Sequence, residues 1–459
     1  MLSEGTIIAL STASGAGAIA IIRLSGDAAI TTTDQLFRAK SQKKLVDQKS
    51  HSIHLGELMD GERIIDEVLV SVFKNPHSYT GEDVIEISCH GSRYIQEKII
   101  QLFVNKGIRP AKAGEFTLRA FINGKMDLAQ AEAVADVIAS ENEASHLVAM
   151  QQMRGGISLE IKVLRQELLD FASLIELELD FAEEDVAFAD RAAFQALLLK
   201  IQGLLKRLID SFALGNVIKK GVPIAIIGPP NAGKSTLLNA LLQEDKAIIS
   251  SIAGTTRDSI EDEITIGGIG FRFIDTAGIR ETQDEIEQIG IQKTFEKVAA
   301  AAIVLYMIDA NVFEQEKAAH QEKIRQLSTQ HPDKAIWVLF NKSDLKSSTL
   351  PTEFEGYPCL ALSAKNKAGI NSLKESLVLH MEKNNYQDES VITNSRHYAA
   401  LSNALAEIGK VQEGMDNQLS SDLLAIDLRQ ALFHLGEITG EVTNDELLGN
   451  IFANFCIGK

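Results

Sequence analysis

A glycine-rich loop at residues 228–235 carries the clearest chemical signal in the sequence. It reads GPPNAGKS, it follows the apolar run VPIAIIG at 222–228, and it precedes the helix-forming stretch TLLNALL. Glycine lets the backbone wrap closely around phosphate oxygens, so that amide hydrogens and a helix N-terminus point at the anion. Lys234 is expected to bridge the outer phosphates and the Ser235 hydroxyl to bind magnesium. This order of strand, loop and helix predicts a nucleoside triphosphate site.

Two further segments have the spacing expected around magnesium and a γ-phosphate. The polar stretch AGTTRD at 253–258 follows the first helix, and a threonine in it can complete the magnesium shell. The strand FRFID ends at Asp275, which can hold magnesium through a water molecule. Gly278 can offer its amide to the γ-phosphate. We interpret both segments as switches of a nucleotide hydrolase.

The predicted base pocket favours guanine over adenine. The sequence NKSD at 341–344 follows a buried strand, and the Asp344 carboxylate can accept hydrogen bonds from the adjacent imino and amino hydrogens of guanine. Adenine lacks this donor pair, so bound ATP would leave a buried charge unpaired. The sequence SAK at 363–365 completes the pocket. The residues predicted to contact GTP are Asn231, Ala232, Gly233, Lys234, Ser235, Thr236, Ser250, Ser251, Ile252, Ala253, Gly254, Thr255, Thr256, Asp275, Thr276, Ala277, Gly278, Asn341, Lys342, Asp344, Ser363, Ala364 and Lys365.

Hydrolysis also requires a group that orients the attacking water. Ras-like domains carry a glutamine after the Asp-x-x-Gly turn. Ile279 occupies that place here and cannot orient water. Glu281, Asp284, Glu285 and Glu287 follow it, and spacing alone does not choose among these carboxylates.

The elements that must position these residues follow from the eight prolines. Two long tracts without proline cover 111–222 and 359–459, and apart from SAK at 363–365 the nucleotide motifs lie between them. Their apolar spacing predicts helices over 126–153 and 159–181, the second with Ile161, Leu164, Leu168, Phe171, Leu174 and Ile175 in one stripe. Residues 1–120 instead contain short strand-like runs and a helix over 92–105.

We therefore predict a multidomain chain. A mixed α/β N-terminal domain covers 1–120, and a discontinuous α-helical domain is formed by 121–218 and 382–459. A Ras-like α/β P-loop GTPase domain at 219–381 is inserted between the two helical parts.

Composition restricts the location and the partners of the protein. A net charge of −18 over 459 residues disfavours non-specific coating of nucleic acid, which needs clustered Lys and Arg. Three widely spaced cysteines suit a reducing compartment. The N-terminus lacks a basic leader, and the apolar runs fall short of the roughly 20 residues that cross a bilayer. We expect a cytoplasmic protein with no membrane partner.

Motifs outside the nucleotide site are more distinctive. They are GEFTLRAFINGKMDLAQAEAV at 114–134, DEIEQIG at 284–290 and the C-terminal EITGEVTNDELLGNIFANFCIGK. With these motifs, GPPNAGKS and GTTRD, the chain resembles the bacterial tRNA modification GTPases of the MnmE family, also called TrmE, over essentially its whole length. Other small GTPases share the first motifs but not these tails.

The resemblance implies a homodimer whose two GTPase domains meet, with a potassium ion in place of an arginine finger. Asn231 matches the potassium-binding asparagine, helped by oxygens of Ser250, Ile252 and Thr255. Thr256 matches the switch threonine that binds Mg²⁺ with Ser235, and Glu287 matches the catalytic glutamate. A fixed K⁺ beside the β–γ bridge would stabilise charge that develops in the transition state.

The resemblance also implies a folate in the N-terminal domain, either 5-formyl- or 5,10-methylene-tetrahydrofolate. Arg23, Glu86, Lys125 and Lys459 match the folate-binding positions, and Cys456 is a possible functional thiol. The family works with the flavoprotein MnmG in a heterotetramer-type complex. Together they add an aminomethyl or carboxymethylaminomethyl group to carbon 5 of the wobble uridine of certain tRNAs.

Another class of function shares the same nucleotide motifs. A regulatory or ribosome-assembly GTPase would use GTP as a binding switch and carry out no one-carbon chemistry. Such a protein is expected to carry a basic RNA-binding module, and the sequence contains none that we recognise. The N-terminal domain and the terminal CIGK sequence favour the hypothesis of a tRNA modification GTPase.

Overall fold

The chain forms two compact units, each made from segments that are distant in sequence. The first contains Met1–Ala139, Ala149–Leu205 and Ala399–Lys459, and the second contains Ser140–Val148 and Lys206–Tyr398. The computed structural model describes residues 5–180, 191–245, 262–274, 298–345, 350–382, 391–417, 419–453 and 455–458. The finer domain boundaries given above stay a prediction.

Strands predominate in residues 7–110 and 222–361, and helices predominate in residues 115–220 and 370–453. The described strands are β1 Ile7–Leu10, β2 Ile19–Ser25, β3 Phe37–Ala39, β4 Ser52–Asp60, β5 Arg63–Phe73, β6 Val84–His90, β7 Arg109–Pro110, β8 Val222–Ile227, β9 Asp262–Ile266, β10 Ile269–Phe273, β11 Ile303–Asp309, β12 Ala335–Asn341, β13 Glu353–Phe354 and β14 Tyr357–Ala361. The helices are α1 Ala29–Leu36, α2 Arg93–Val104, α3 Glu115–Ile122, α4 Leu128–Ala139, α5 Glu143–Met153, α6 Gly156–Asp180, α7 Arg191–Lys220, α8 Lys234–Asp245, α9 Phe313–Gln330, α10 Ile370–Glu382, α11 Ser395–Asp416, α12 Ser421–Thr439 and α13 Asp445–Ala453.

The sheet of the first unit has seven strands in the order β3-β4-β5-β6-β2-β1-β7. All its neighbouring strands are antiparallel except β1 and β7. Alternate residues along β5 explain the arrangement, since Val68, Val70 and Val72 are buried while Glu67 and Leu69 are exposed. The helices α1 and α2 pack on the buried face. The predicted mixed α/β character of this part, including its helix over 92–105, is confirmed.

The helices that follow the N-terminal sheet depart from the sequence prediction in two places. The helix predicted over 126–153 is divided into α4 and α5, because the Asn142 side chain accepts a hydrogen bond from the Ser145 amide at 2.9 Å and caps a new helix. The predicted stripe on α6 is also imperfect: Leu174 is 37% exposed, whereas Leu164 and Leu168 are buried. The break between α5 and α6 at Gly155, with φ +88°, is confirmed.

The sheet of the second unit has the order β13-β14-β12-β11-β8-β10-β9. Its five central strands, β14, β12, β11, β8 and β10, are parallel, and β9 and β13 are antiparallel edge strands. Residues of β11 and β12 are buried on both faces, which explains their continuous apolar sequences. In open parallel sheets the loops after the carboxyl ends of the strands form the ligand site. The predicted nucleotide motifs follow β8 and β12 at this edge. In the part of the chain that the structure describes, no helix has the length and apolarity to span a bilayer.

Candidate functional site

The phosphate-binding loop after β8 has a backbone that only particular residues can adopt. Gly228 has φ +147° and Gly233 has φ +98°. A Cβ on Gly228 would overlap the Met307 carbonyl oxygen, and one on Gly233 would overlap the side-chain nitrogen of Asn341. Asn231 adopts the left-handed region with φ +60°, which asparagine tolerates better than most residues. The loop is therefore held against β11 and β12 by contacts with no room for side chains at its glycines.

Helix α8 begins at Lys234 and places its first turn next to this loop. The Lys234 ammonium donates hydrogen bonds to the carbonyl oxygens of Gly228 and Pro229, both at 2.9 Å. Ser235 and Thr236 are exposed on the first turn. The amide groups of a helix N-terminus favour an anion, and an exposed hydroxyl is a suitable Mg²⁺ ligand beside phosphates. The donor set of this turn thus fits a magnesium-bound triphosphate.

Asn341 joins two predicted parts of the nucleotide site. Its side chain is buried at 3% exposure, donates to the Ala232 carbonyl oxygen at 2.7 Å and accepts from the Ala364 amide at 2.9 Å. Ala232 belongs to the phosphate loop, and Ala364 belongs to the predicted base pocket with buried Ser363. One amide side chain therefore fixes the separation between the phosphate loop and the loop at 363–365.

The residues that follow Asn341 form a tight turn. Lys342 has φ +61°, and a 3-10 turn over Ser343–Leu345 comes next. Asp344 and Lys365 are exposed at the same edge of the sheet, where β12 and β14 end. Their exposed polar groups are free to meet a base, as guanine recognition by Asp344 requires.

Asp309 is a residue of this site that sequence reasoning missed. It ends β11 opposite Asn341, and its Oδ2 lies 2.6 Å from the Lys342 ammonium. Burial raises the pKa of Asp309, but hydrogen bonds from Lys342 and Asn311 outweigh it and hold the pKa below its ordinary value. A signal was available, because parallel strands that end together bring their last residues to one edge.

Other predicted nucleotide and metal residues lie outside the described part of the chain. They are Ser250, Ser251, Ile252, Ala253, Gly254, Thr255, Thr256, Asp275, Thr276, Ala277, Gly278 and the proposed catalytic Glu287. Of the predicted Mg²⁺ ligands the structure describes Ser235, and of the predicted K⁺ ligands it describes Asn231, whose side chain is exposed. The assignments of both ions stay predictions.

The predicted folate residues Arg23 and Glu86 form a pair in the first unit. They are directly opposite on β2 and β6, with Arg23 Nε donating to Glu86 Oε1 at 2.9 Å. The Arg23 guanidinium lies 5.3 Å from the ring centroid of Tyr79 and 5.8 Å from that of Phe116. The aromatic rings, which sequence reasoning did not predict, hold the guanidinium beside a flat apolar surface.

The C-terminal tail reaches this pair. The Gly458 carbonyl oxygen accepts hydrogen bonds from Ser11 Oγ at 3.1 Å and from Arg23 at 3.5 Å. The Cys456 carbonyl oxygen accepts from the Gly114 amide at 3.3 Å, and the Cys456 thiol is exposed. The structure thus brings Arg23, Glu86 and the tail together, while Lys459 itself is outside the described residues.

Lys125 lines a neighbouring open cavity of about 390 Å³. Its ammonium donates to the Pro76 carbonyl oxygen at 3.0 Å. Tyr79 lines the same cavity and also faces Arg23, so the two predicted folate positions share one aromatic side chain. The cavity wall is formed by His51, Phe73, His77, Ser78, Tyr79 and Lys125. A concave surface with aromatic, imidazole and ammonium groups suits an aromatic ligand that carries carboxylates.

Comparison with known proteins assigns the chain to a family. Residues 6–125 match the family profile described as the GTP-binding protein TrmE N-terminus, and residues 128–456 match that of the MnmE helical domain. The protein named tRNA modification GTPase MnmE from Christiangramia forsetii is 59% identical, with 100% of both chains covered. The chain belongs to the MnmE family of tRNA modification GTPases. This assignment confirms the resemblance and the predicted multidomain fold class.

Relatives at greater distance have the same name. The tRNA modification GTPase MnmE of Flavobacterium johnsoniae is 58% identical and that of Bacteroides fragilis is 52% identical, each with 100% of both chains covered. An MnmE-type chain is thus matched from the N-terminal sheet to the terminal helices, and its GTPase character is a property of the family as named.

Proposed function

We propose that this chain hydrolyses GTP and, with a flavoprotein partner, adds an aminomethyl or carboxymethylaminomethyl group to carbon 5 of the wobble uridine of certain tRNAs. A folate, when bound, would supply the one-carbon unit. The observation that carries this proposal is the C-terminal tail beside the Arg23–Glu86 pair. It gives the chain a second polar site, in the unit that does not contain the phosphate loop.

The nucleotide half of the proposal rests on the loops joined by Asn341. Lys234 and the α8 N-terminus would hold the phosphates, with Ser235 as a Mg²⁺ ligand. Asp344, which is exposed, would read guanine. Glu287 would orient the attacking water. A K⁺ ion at Asn231 would stabilise transition-state charge when two copies of the GTPase domain meet in a homodimer.

The folate half of the proposal rests on the chemistry of the first unit. A folate carries a pterin ring with paired donors and acceptors, and a glutamate tail with carboxylates. Glu86 can accept hydrogen bonds from the pterin, while Arg23 and Lys125 can neutralise carboxylates. Tyr79 and Phe116 offer ring surface for stacking beside Arg23.

The negative net charge of this chain favours tRNA binding by the partner over tRNA binding by this chain. At a net charge of −18, this chain would gain little from counterion release on binding RNA. We infer that the flavoprotein supplies most of the tRNA contact. A filter-binding assay at physiological salt should find weak tRNA binding by this chain alone. Tight binding by this chain alone would contradict the inference that the flavoprotein supplies most of the tRNA contact.

The proposal is tested by following a labelled one-carbon unit. Wild-type protein, flavoprotein partner, GTP, tRNA, ammonium or glycine as the source of nitrogen, and 5,10-methylene-tetrahydrofolate with ¹⁴C in its methylene group are incubated, and label in the wobble uridine is measured. Arg23→Ala should lose the label and keep GTP hydrolysis. Arg38→Ala is the matched control, because Arg38 pairs with Glu57 across neighbouring strands of the same sheet and should keep the label.

The outcomes separate the two classes of function. Label that depends on Arg23 but not on Arg38 supports folate-dependent modification. GTP hydrolysis without transfer of label by the wild-type mixture would contradict the proposal and favour a regulatory GTPase.

A further inference from the structure

The ion pair between Asp309 and Lys342 links the ends of two adjacent strands. Asp309 Oδ2 lies 2.6 Å from Lys342 Nζ, and Asp309 Oδ1 accepts hydrogen bonds from the Asn311 amide at 2.9 Å and from the Asn311 side chain at 3.0 Å. Both carboxylate oxygens are therefore engaged. The side chains of Asp309 and Lys342 are 19% and 34% exposed, so water screens the pair only in part.

Lys342 has an unusual backbone that needs support. Its φ of +61° lies in the left-handed region, which is unfavourable for a residue with a side chain. This conformation turns the chain out of β12 and into the Ser343–Leu345 turn, which carries Asp344. A restraint on the Lys342 side chain therefore also restrains the direction in which Asp344 leaves the sheet.

Two backbone hydrogen bonds complete the frame around this turn. The Ala310 amide donates to the Asn341 carbonyl oxygen at 2.9 Å, and the Ser343 amide donates to the Leu362 carbonyl oxygen at 3.2 Å. These bonds fix the main chain on either side of Lys342. The flexible four-carbon stem of the Lys342 side chain ends in the ammonium group, which Asp309 holds.

We propose that Asp309 is a positioning residue for guanine recognition, because it anchors the Lys342 ammonium and so presets the turn that presents Asp344. The inference rests on the proposed binding of GTP at this site. With the ammonium held, the apolar stem of Lys342 lies fixed at the edge of the sheet where the base is read. Asp309 acts through Lys342 and Asp344 and has no direct contact with the base.

If the ion pair were purely structural, its removal would affect nucleotide affinities differently from the removal of a positioning residue. Loss of a structural pair would lower stability and would weaken all nucleotides equally. Loss of a positioning residue would weaken guanine nucleotides most, since guanine depends on both hydrogen bonds to Asp344. Inosine nucleotides lack the exocyclic amino group and depend on one fewer of these bonds.

The experiment compares the affinities of GDP and IDP by competition with a fluorescent GDP analogue. Asp309→Asn keeps the shape and the acceptor for Asn311 but removes the charge that holds Lys342. We expect GDP affinity to fall about tenfold, IDP affinity to fall less, and the ratio of the two affinities to fall about threefold or more. Asp309→Glu should restore part of the GDP affinity.

Two further variants make the result decisive. Lys342→Met keeps the apolar stem and should lower the ratio as Asp309→Asn does, with no further loss in the double variant. Glu355→Gln is the matched control: its carboxylate is also 19% exposed and pairs with Arg325 at 3.1 Å, at the end of the sheet away from the base pocket. It should leave both affinities unchanged.

The outcomes distinguish this inference from the proposed function. If wild-type protein binds neither GDP nor GTP, the proposed function is wrong. If wild-type protein binds GDP tightly and Asp309→Asn keeps the wild-type ratio of GDP to IDP affinity, the positioning role is overturned. If Lys342→Met keeps that ratio as well, the pair is a structural contact only.

Discussion

Removing the Asn341 side chain should break the hydrogen bonds that connect the phosphate loop to the predicted base pocket. Asn341→Ala leaves the Ala232 carbonyl and the Ala364 amide without their present partner in a buried place. An unsatisfied buried group costs about 1–3 kcal/mol, so two such groups set an expected total of roughly 2–6 kcal/mol. In the nucleotide-free protein the loops can shift and partly satisfy the two groups, which reduces the loss of stability. Nucleotide binding requires the loops to return to their positions, so the rest of the cost weakens GDP binding. The two losses together should therefore approach that total.

The assay measures both quantities on the same variants. Urea unfolding of nucleotide-free protein gives the loss of stability, and titration with a fluorescent GDP analogue gives the change in Kd. We expect a stability loss of at least about 1 kcal/mol and an increase in the Kd for GDP of at least about tenfold. Asn371→Ala, on the exposed surface of α10, is the control and should change neither.

A second variant perturbs the same contact from the other side. Gly233→Ala introduces a Cβ that overlaps the Asn341 side-chain nitrogen at a position with φ +98°. It should weaken GDP binding at least as much as Asn341→Ala, because both the loop and the asparagine must shift. Wild-type stability and wild-type Kd in Asn341→Ala would refute the view that this side chain joins the two loops.

Two further predictions concern titration and thiol reactivity. Burial lowers the pKa of His320 below 6.5, against an opposing effect of Glu316, so the unfolded chain binds a proton first and stability should fall as pH drops below about 6.5. Urea unfolding between pH 7 and 5 should show a smaller loss in His320→Gln, and an equal loss would exclude His320 as the cause. Burial raises the pKa of Cys89 and of Cys359 to about 11, so at pH 8 each is about 0.1% thiolate. The exposed Cys456 should therefore react first with a thiol reagent, and fast labelling that persists in Cys456→Ser would contradict this order.

The sequence predicted those parts of the site that are local. The phosphate loop could be recognised because the residues that define it, Gly228, Gly233 and Lys234, all lie within eight consecutive positions. Strands β8, β11 and β12 could be recognised because burial on both faces requires uninterrupted apolar residues. The family assignment was likewise predictable, since its motifs are contiguous.

Contacts between distant residues could not be predicted from local patterns. The hydrogen bonds of Asn341 join residues that are 109 and 23 positions away. The approach of Gly458 to Arg23 spans 435 positions and was expected only from the resemblance. The helix break before α5 was missed because capping by Asn142 outweighs an apolar spacing that continues through it.

We propose that the GTPase activity of this chain is stimulated by potassium, with Glu287 as the catalytic carboxylate. The most direct test is the rate of GTP hydrolysis in potassium and in sodium, for wild type, Glu287→Ala and the neighbouring control Glu285→Ala. We predict strong stimulation by potassium in wild type and in Glu285→Ala, and its loss in Glu287→Ala with GTP binding retained. Equal rates in both salts, or an unchanged rate in Glu287→Ala, would contradict the account.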